Sequence, residues 1–329
     1  MKKAILILQN GFFKKIMKGA TSMAVIEIEH LTKDYGHNRG VFDVTFSVEK
    51  GEVYGFLGPN GAGKTSAIRH IMGFSRPQKG RTAVNGLDSW THSSDIQKSL
   101  GYLPGEIALP ESLTGTQFIQ MMADLRELKN MQRTDYLLKK FELDATGSLK
   151  RMSLGEKRKL AIVTAFMHDP EVLVLDEPTS GLDPIMQDIF IDFIKEEKAR
   201  GKTILLSSHI FSEIDATCDK ISIIKDGRLV SSFVADELRQ SMDKTYQVAF
   251  RTKQDFERFR EHPSRALQII GREAAQNQVI IRLKNEAVNE LIDVLSNYEL
   301  NYFTEIKTSL EDYFMHFYDR NETVNGGQK

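Results

Sequence analysis

The stretch Gly58-Pro59-Asn60-Gly61-Ala62-Gly63-Lys64-Thr65 constrains this chain more than any other, because it follows an apolar run, Val53 to Leu57, and opens a helical segment through Met72. Strand, glycine-rich turn and helix in that order form a phosphate-binding loop. Glycine lets the backbone approach an anion closely, Lys64 can reach the outer phosphates, and the Thr65 hydroxyl can bind Mg²⁺. The helix that follows turns its positive end toward the same anion. A glycine-rich turn without a ligand is the bland alternative, and the flanking strand and helix count against it. The loop specifies a nucleotide and leaves open what is done with it.

At 329 residues the chain is long enough for two domains. Its formal net charge of -1 gives the whole molecule no pull toward nucleic acid, so no nucleic-acid partner is expected. The single cysteine, Cys218, excludes an internal disulfide and any multi-cysteine metal site, which suits a reducing cytosol. No apolar run approaches the length of a membrane-spanning helix. Residues 1–22 carry five lysines among Ile5, Leu6, Phe12, Phe13, Ile16 and Met17. They are read as a disordered basic tail ahead of a domain beginning at Met23, in preference to an amphipathic segment on anionic lipid.

Val25 to Glu29 and Val44 to Val48 alternate apolar with polar residues, the pattern of half-buried strands in an antiparallel layer. Between them, Leu31 to Gly36 reads as a turn presenting Tyr35, an aromatic able to stack on a nucleotide base or to cover a sheet edge. From Leu113 to Phe166 the period becomes helical. Phe118, Met121, Met122, Leu125 and Leu128 share one face, and Leu137, Leu138 and Phe141 another, so both faces are assigned to the core.

Glu171-Val172-Leu173-Val174-Leu175-Asp176-Glu177-Pro178 follows, a continuous apolar run that suits a parallel strand buried on both faces. Ligands gather at the carboxyl ends of such strands, so Asp176 can hold Mg²⁺ while Glu177 polarises an attacking water. Thr203 to Ser207 gives a second buried strand with His209 beyond its end. A lone histidine is usually structural, but this position beside the same crevice suits a contact with a terminal phosphate. Ile221 to Ile224 and Arg228 to Val230, joined by Asp226-Gly227, read as a hairpin. After Ala235 the predicted order is βαββαβ plus a helix at Leu310 to Tyr318, compatible with a small ferredoxin-like domain.

Over roughly residues 24–235 the chain resembles the ATP-binding subunit of an ATP-binding cassette (ABC) transporter. Gly58 to Ser66 looks like its Walker A, Leu173 to Pro178 its Walker B, Ser180-Gly181-Leu182-Asp183 its D-loop, and His209 its switch histidine. Arg151-Met152-Ser153-Leu154-Gly155-Glu156 stands where the family carries its signature. The single cassette with a C-terminal extension ending in Ser309-Leu310-Glu311-Asp312-Tyr313-Phe314 looks most like ABC-2-type exporters, of which drug and antibiotic-resistance exporters are the best known.

The resemblance implies an α/β P-loop NTPase: a RecA-like parallel sheet core with an antiparallel β layer and a helical subdomain at about residues 106–168. The cassette would span residues 23–235, a C-terminal α+β accessory domain 236–320 and a polar tail 321–329. It implies ATP and Mg²⁺ as ligands, with Tyr35 and Gly58 to Ser66 on the nucleotide, and Thr65 and Asp176 on the metal. Glu177 and His209 would be catalytic, and Asp183 would belong to the D-loop. Ser153, Gly155 and Glu156 would meet the nucleotide of a second, identical subunit. It also implies a membrane-spanning permease on a separate chain, at the cytoplasmic face of the cell membrane.

Two departures stand out. The signature usually reads LSGGQ, whereas here Leu154 replaces the first glycine and Glu156 the glutamine. Gly105 stands where the family has the Q-loop glutamine, and Glu106 is the neighbour able to substitute in part. The missing glutamine also motivates a rival reading, a nucleotide-dependent regulator with little turnover, and a further rival is a cassette ATPase acting away from membranes. The short interval from Gly105 to Ser153 and the single cassette count against the second rival.

Overall fold

The computed structural model describes residues 24–241, 243–261 and 267–306. The predicted N-terminal tail, the predicted helix at Leu310 to Tyr318 and the polar tail lie outside them. The chain divides into two compact units, one comprising the residues up to His209 plus Ser222–Ser231, the other Ile210–Ile221 plus the residues from Ser232.

In the first unit, β1 (Ala24–Asp34) pairs antiparallel with β2 (Gly40–Glu49), and after β3 (Val53–Leu57) and helix α1 (Lys64–Ile71) the chain returns as β4 (Lys79–Val84) on the other side of β1. β5 (Leu87–Asp88) completes this sheet, ordered β2-β1-β4-β5. The turn expected from Leu31 is shorter than the sequence suggests, because β1 runs on to Asp34. His30, at φ 49°, and Asp43, at φ 59°, absorb a register shift between Ile28 and Leu31. Leu31 therefore returns to the inner face and is fully buried.

Helix α2 (Ser93–Ser99) leads to β6 (Gly101–Leu103), then helices α3 (Gly115–Leu125), α4 (Gln132–Lys140) and α5 (Leu154–Phe166) precede β7 (Val172–Asp176). Helix α6 (Pro184–Ala199), β8 (Thr203–Ser208), helix α7 (Phe211–Thr217) and the strands β9 (Lys220–Lys225) and β10 (Arg228–Val234) follow. The six-stranded sheet runs β10-β9-β3-β8-β7-β6, and β3, β8, β7 and β6 are parallel. Every residue of β3, β7 and β8 is buried, which is why these segments read as unbroken apolar runs.

Their register decides where the functional residues arrive. Leu57 pairs with Ser208, and Asp176 with Ser207. The chain leaves β3, β7 and β8 at one edge of the sheet, so the glycine-rich loop, Glu177 and His209 emerge together.

The α3 face expected to be core is turned partly outward. The buried stripe of α3 runs through Gly115, Ile119 and Ala123, while Met121 is 37% and Leu125 69% exposed. The two candidate stripes lie next to one another on the helix, and tertiary packing selects the smaller residues. The next helix behaves as its sequence suggests: Leu137 and Phe141 are fully buried. Phe141 and Phe166 both pack on Phe193 of α6, at 5.4 and 4.9 Å between ring centroids. Arg133 adds an ion pair to buried Glu197 at 2.6 Å, so the helical segment is fastened to α6 by aromatic and ionic contacts together.

In the second unit, helix α8 (Ala235–Ser241), absent from the sequence reading, precedes β11 (Lys244–Phe250), helix α9 (Lys253–Arg260), β12 (Gln268–Glu273), β13 (Gln278–Leu283), helix α10 (Val288–Leu295) and β14 (Leu300–Ile306). The antiparallel sheet is ordered β12-β13-β11-β14. Val248 and Phe250 of β11 and Val279 and Ile281 of β13 close a core with Phe256, Phe259 and Leu291 from the helices.

Candidate functional site

The glycine-rich loop owes two of its glycines to neighbouring backbone. A Cβ on Gly58 would lie 2.4 Å from the carbonyl oxygen of Ile224, and one on Gly63 would lie 2.9 Å from that of Gly40. Gly63 also sits at φ 109° as the N-cap of α1, with no side chain capping the helix. The Asp226-Gly227 turn of the β9–β10 hairpin supports the loop, since Gly227 N–H donates to the Ala62 carbonyl at 2.9 Å. Both turn residues have positive φ, 50° and 72°, as a two-residue hairpin turn requires. Pro59, Asn60 and Gly61 are exposed, Ala62 is buried and Ser66 is half-buried.

Lys64 lies within this loop with only 5% of its surface exposed. Its Nζ donates to the carbonyls of Gly58 at 2.6 Å and Pro59 at 3.2 Å, and pairs with Glu177 Oε1 at 2.9 Å. Thr65 Oγ1 donates to Asp176 Oδ2 at 2.8 Å, and Ser207 Oγ donates to Asp176 Oδ1. Asp176 is fully buried, and burial pushes its carboxyl above the usual carboxylate range against the opposing pull of the Ser207 and Thr65 hydroxyls. The Thr65 and Asp176 oxygens form a hard-ligand pair of the kind Mg²⁺ accepts. Among the described residues no group of three or more His, Cys, Asp or Glu could hold a metal.

Glu177 follows β7 in the left-handed region, at φ 49°, a conformation that costs a non-glycine residue about 1–3 kcal/mol. Its N–H donates to the Ser207 carbonyl at 3.0 Å, which holds it there. Its carboxylate thereby bridges two side chains: Lys64 Nζ on Oε1 at 2.9 Å and His209 Nδ1 on Oε2 at 2.6 Å. His209 is 43% exposed. Lys64, the adjacent Asp176 and Glu177, and His209, three places far apart in sequence, thus occupy one site.

Ser153 and Glu156 stand elsewhere. Ser153 is the N-cap of α5, and its Oγ accepts from Glu156 N–H at 3.2 Å while Glu156 Oε2 accepts from Ser153 N–H and Oγ, each at 2.8 Å. This is a complete capping box, so glutamate at the glutamine position serves the helix. The bonds from Ser153 hold the Glu156 carboxyl below its usual value. Leu154 is 63% exposed, and Gly155 packs on the segment 180–183, where a Cβ would come 3.2 Å from the Gly181 carbonyl. Asp183 caps α6 by accepting from Met186 N–H at 3.0 Å. Tyr35 is half-exposed, with Lys33 Nζ 5.8 Å from its ring centre. Gly105 adjoins the Asp176 carboxylate, since a Cβ there would lie 3.1 Å from its Oδ2. Glu106 is exposed, and the side chains bonded to Asp176 are those of Thr65 and Ser207.

Two residues escaped the sequence reading. Ser207 is an apolar strand's penultimate residue, and only the register with β7 reveals its bond to Asp176. Arg158 looks like a solvent-facing basic residue between Lys157 and Lys159 but is 2% exposed.

Residues 41–180 match the ABC transporter family. An uncharacterized ABC transporter ATP-binding protein of Bacillus subtilis is 30% identical over 300 residues, covering 88% of this chain and 95% of that protein. The chain belongs to the ABC transporter ATP-binding proteins. The bacitracin transport ATP-binding protein of Bacillus licheniformis is 31% identical over 310 residues, covering 88% and 96%. A solved ATP-binding subunit of an ABC transporter superposes with a TM-score of 0.60 at 31% identity, covering 66% of this chain and 92% of that one. The fold is accordingly that of a P-loop NTPase, and the chain is an ABC-type ATPase.

Proposed function

We propose that this ABC ATPase binds ATP and Mg²⁺, pairs with a second copy of itself around two nucleotides, and drives export through a permease on a separate chain at the cytoplasmic face of the membrane. The observation that carries the reading is the Glu177 carboxylate held between Lys64 and His209 at 2.9 and 2.6 Å, beside Asp176. Glu177 is the base that takes a proton from the attacking water, and His209 orients it and contacts the terminal phosphate. Lys64, Tyr35 and the Gly58 to Ser66 loop bind the nucleotide, the lysine by exchanging its carbonyl partners for phosphate oxygens. Thr65 and Asp176 would hold Mg²⁺, which when bound neutralises phosphate charge. Ser153 and Gly155 lie exposed or half-exposed at the start of α5, fit to meet a partner's nucleotide, with Glu156 and Asp183 flanking them.

Among the described residues no helix is long and apolar enough to cross a membrane, which supports a separate permease. The relative in Bacillus licheniformis, named for bacitracin transport, supports a role in transport, of which export is the direction proposed here. Residues 23–235 form the cassette in this reading, and residues 236–320 an accessory domain whose βαββαβ order and sheet order suit a ferredoxin-like fold.

The Glu177→Gln protein tests this reading. It should bind ATP normally, hydrolyse it about 10²–10⁴-fold more slowly, and accumulate as an ATP-bound dimer in size-exclusion chromatography with Mg²⁺. Turnover equal to wild type would favour a nucleotide-dependent regulator, and a protein that stayed monomeric would remove the paired arrangement.

A further inference from the structure

Arg158 holds a position that neither the nucleotide loop nor the signature explains. It lies in the second turn of α5, five residues after Ser153, and its guanidinium is buried. Nε donates to the Ser180 carbonyl at 2.9 Å, Nη1 to the Pro104 carbonyl at 2.8 Å and Nη2 to the Gly105 carbonyl at 2.7 Å. The planar fork suits this task, since its donors diverge at fixed angles and reach two loops at once.

Each loop is held on a second side as well. A Cβ on Gly181, next to Ser180, would meet Leu154 at 3.0 Å, and one on Gly105 would meet Asp176 at 3.1 Å. The D-loop therefore lies between Arg158 and the signature, and the 104–105 turn lies between Arg158 and the metal-side carboxylate. Burying a guanidinium is expensive even with three charge-assisted hydrogen bonds, and a neutral amide offers two donors at most, too few for the three carbonyls met here. Burial works against the cation and lowers its pKa, while the nearby charges of Asp176 and Glu177 work the other way.

We propose that Arg158 is a positioning residue for ATP hydrolysis, joining the signature helix, the D-loop and the Pro104-Gly105 turn beside Asp176 into one body. The inference rests on the paired-subunit reading. When Ser153 and Gly155 of one subunit engage the partner's nucleotide, displacement of α5 passes through Arg158 to the Gly105 side of its own Asp176. With glycine at 105, this backbone route takes the place of a side chain reaching from that position. The two nucleotide sites consequently turn over together.

Arg158→Gln and Arg158→Lys in the full-length chain test this. Thermal stability, equilibrium ATP binding, kcat and the Hill coefficient for ATP are measured beside wild type. Arg158→Gln should bind ATP as wild type does, yet lose about 10- to 100-fold in kcat, since small misplacements at a reacting centre cost that much. Its Hill coefficient should fall from about 2 toward 1, as expected when two sites uncouple. Arg158→Lys keeps the charge but not the fork, and should show the same changes to a smaller extent. If Arg158→Gln fails to fold, Arg158→Lys is read by the same criteria. Folded variants with wild-type kcat and Hill coefficient would overturn the inference, as would a kcat loss matched by weakened ATP binding. A wild type with no cooperative turnover would overturn the paired-subunit reading first, so the two failures are told apart.

Discussion

Two helices of the first unit begin beside functional residues, and they begin differently. α1 starts at Gly63, with no side-chain cap, and the lysine one position on is surrounded by carbonyl oxygens and the Glu177 carboxylate. α5 starts at Ser153, capped on both sides by its reciprocal bonds with Glu156. A helix N-terminus attracts anions in both cases. The α1 end is open to an anion and its buried cation must trade partners to receive one. The α5 end already carries an anion of its own, set on an exposed surface. On the function proposed above, the first would hold a nucleotide within one subunit and the second would meet the partner's nucleotide briefly and let it go.

The sharpest break of that contrast is Lys64→Ala. Losing charge-assisted hydrogen bonds worth about 1.5–3 kcal/mol should weaken ATP binding about 10- to 100-fold, read by equilibrium titration. Binding within error of wild type would mean the α1 end does not receive phosphate. Asp176→Asn should come next. Burial raises the Asp176 pKa, so the folded protein holds this proton more tightly than the unfolded chain does. The ionised carboxylate therefore opposes folding above the ordinary carboxylate range, and that penalty fades as pH falls through the raised value. Asp176→Asn should thus gain about 2–4 °C in Tm at neutral pH and lose the corresponding part of the gain on acidification, while Mg²⁺-dependent turnover collapses. A lower Tm at neutral pH would show that the Thr65 and Ser207 hydroxyls outweigh burial.

Glu156→Gln carries the smallest effect and addresses the α5 end alone. Glutamine keeps the reciprocal cap but removes the negative charge that faces an arriving phosphate. The change is worth about 0.3–1 kcal/mol, so the ATP-dependent dimer should tighten about two- to fivefold while Tm falls slightly. It is best measured by dimer titration in the Glu177→Gln background. A weakened dimer would assign the charge an attractive role and erase the distinction between the two helix starts.

Much of this site could be read along the chain because its parts are local. A glycine-rich turn between strand and helix, a pair of acids ending an apolar run and an Asp-Gly hairpin turn each express backbone geometry in a few adjacent residues. The strands β3, β7 and β8 were legible for the same reason, since burial on both faces leaves no polar position to interrupt them. The face of α3 was not, because Met121 and Leu125 compete with Ile119 and Ala123 and only the neighbouring elements choose between the stripes. The extension of β1 past a left-handed His30 was likewise hidden, since a bulge moves the alternation without changing the residues.

The order of the chemistry along the polypeptide, phosphate loop, signature, acid pair and histidine, was determined by sequence alone, and so was the strand, turn or helix that carries each part. Tertiary structure alone decided that Leu57 stands opposite Ser208 and Asp176 opposite Ser207, and with that the meeting of Lys64, Glu177 and His209. The reason is physical: parallel strands join through main-chain hydrogen bonds that are the same for every residue, so their register is chosen by the packing of whole layers. The buried fork of Arg158 follows the same rule, because its three acceptors are carbonyls and carbonyls leave no mark in a sequence.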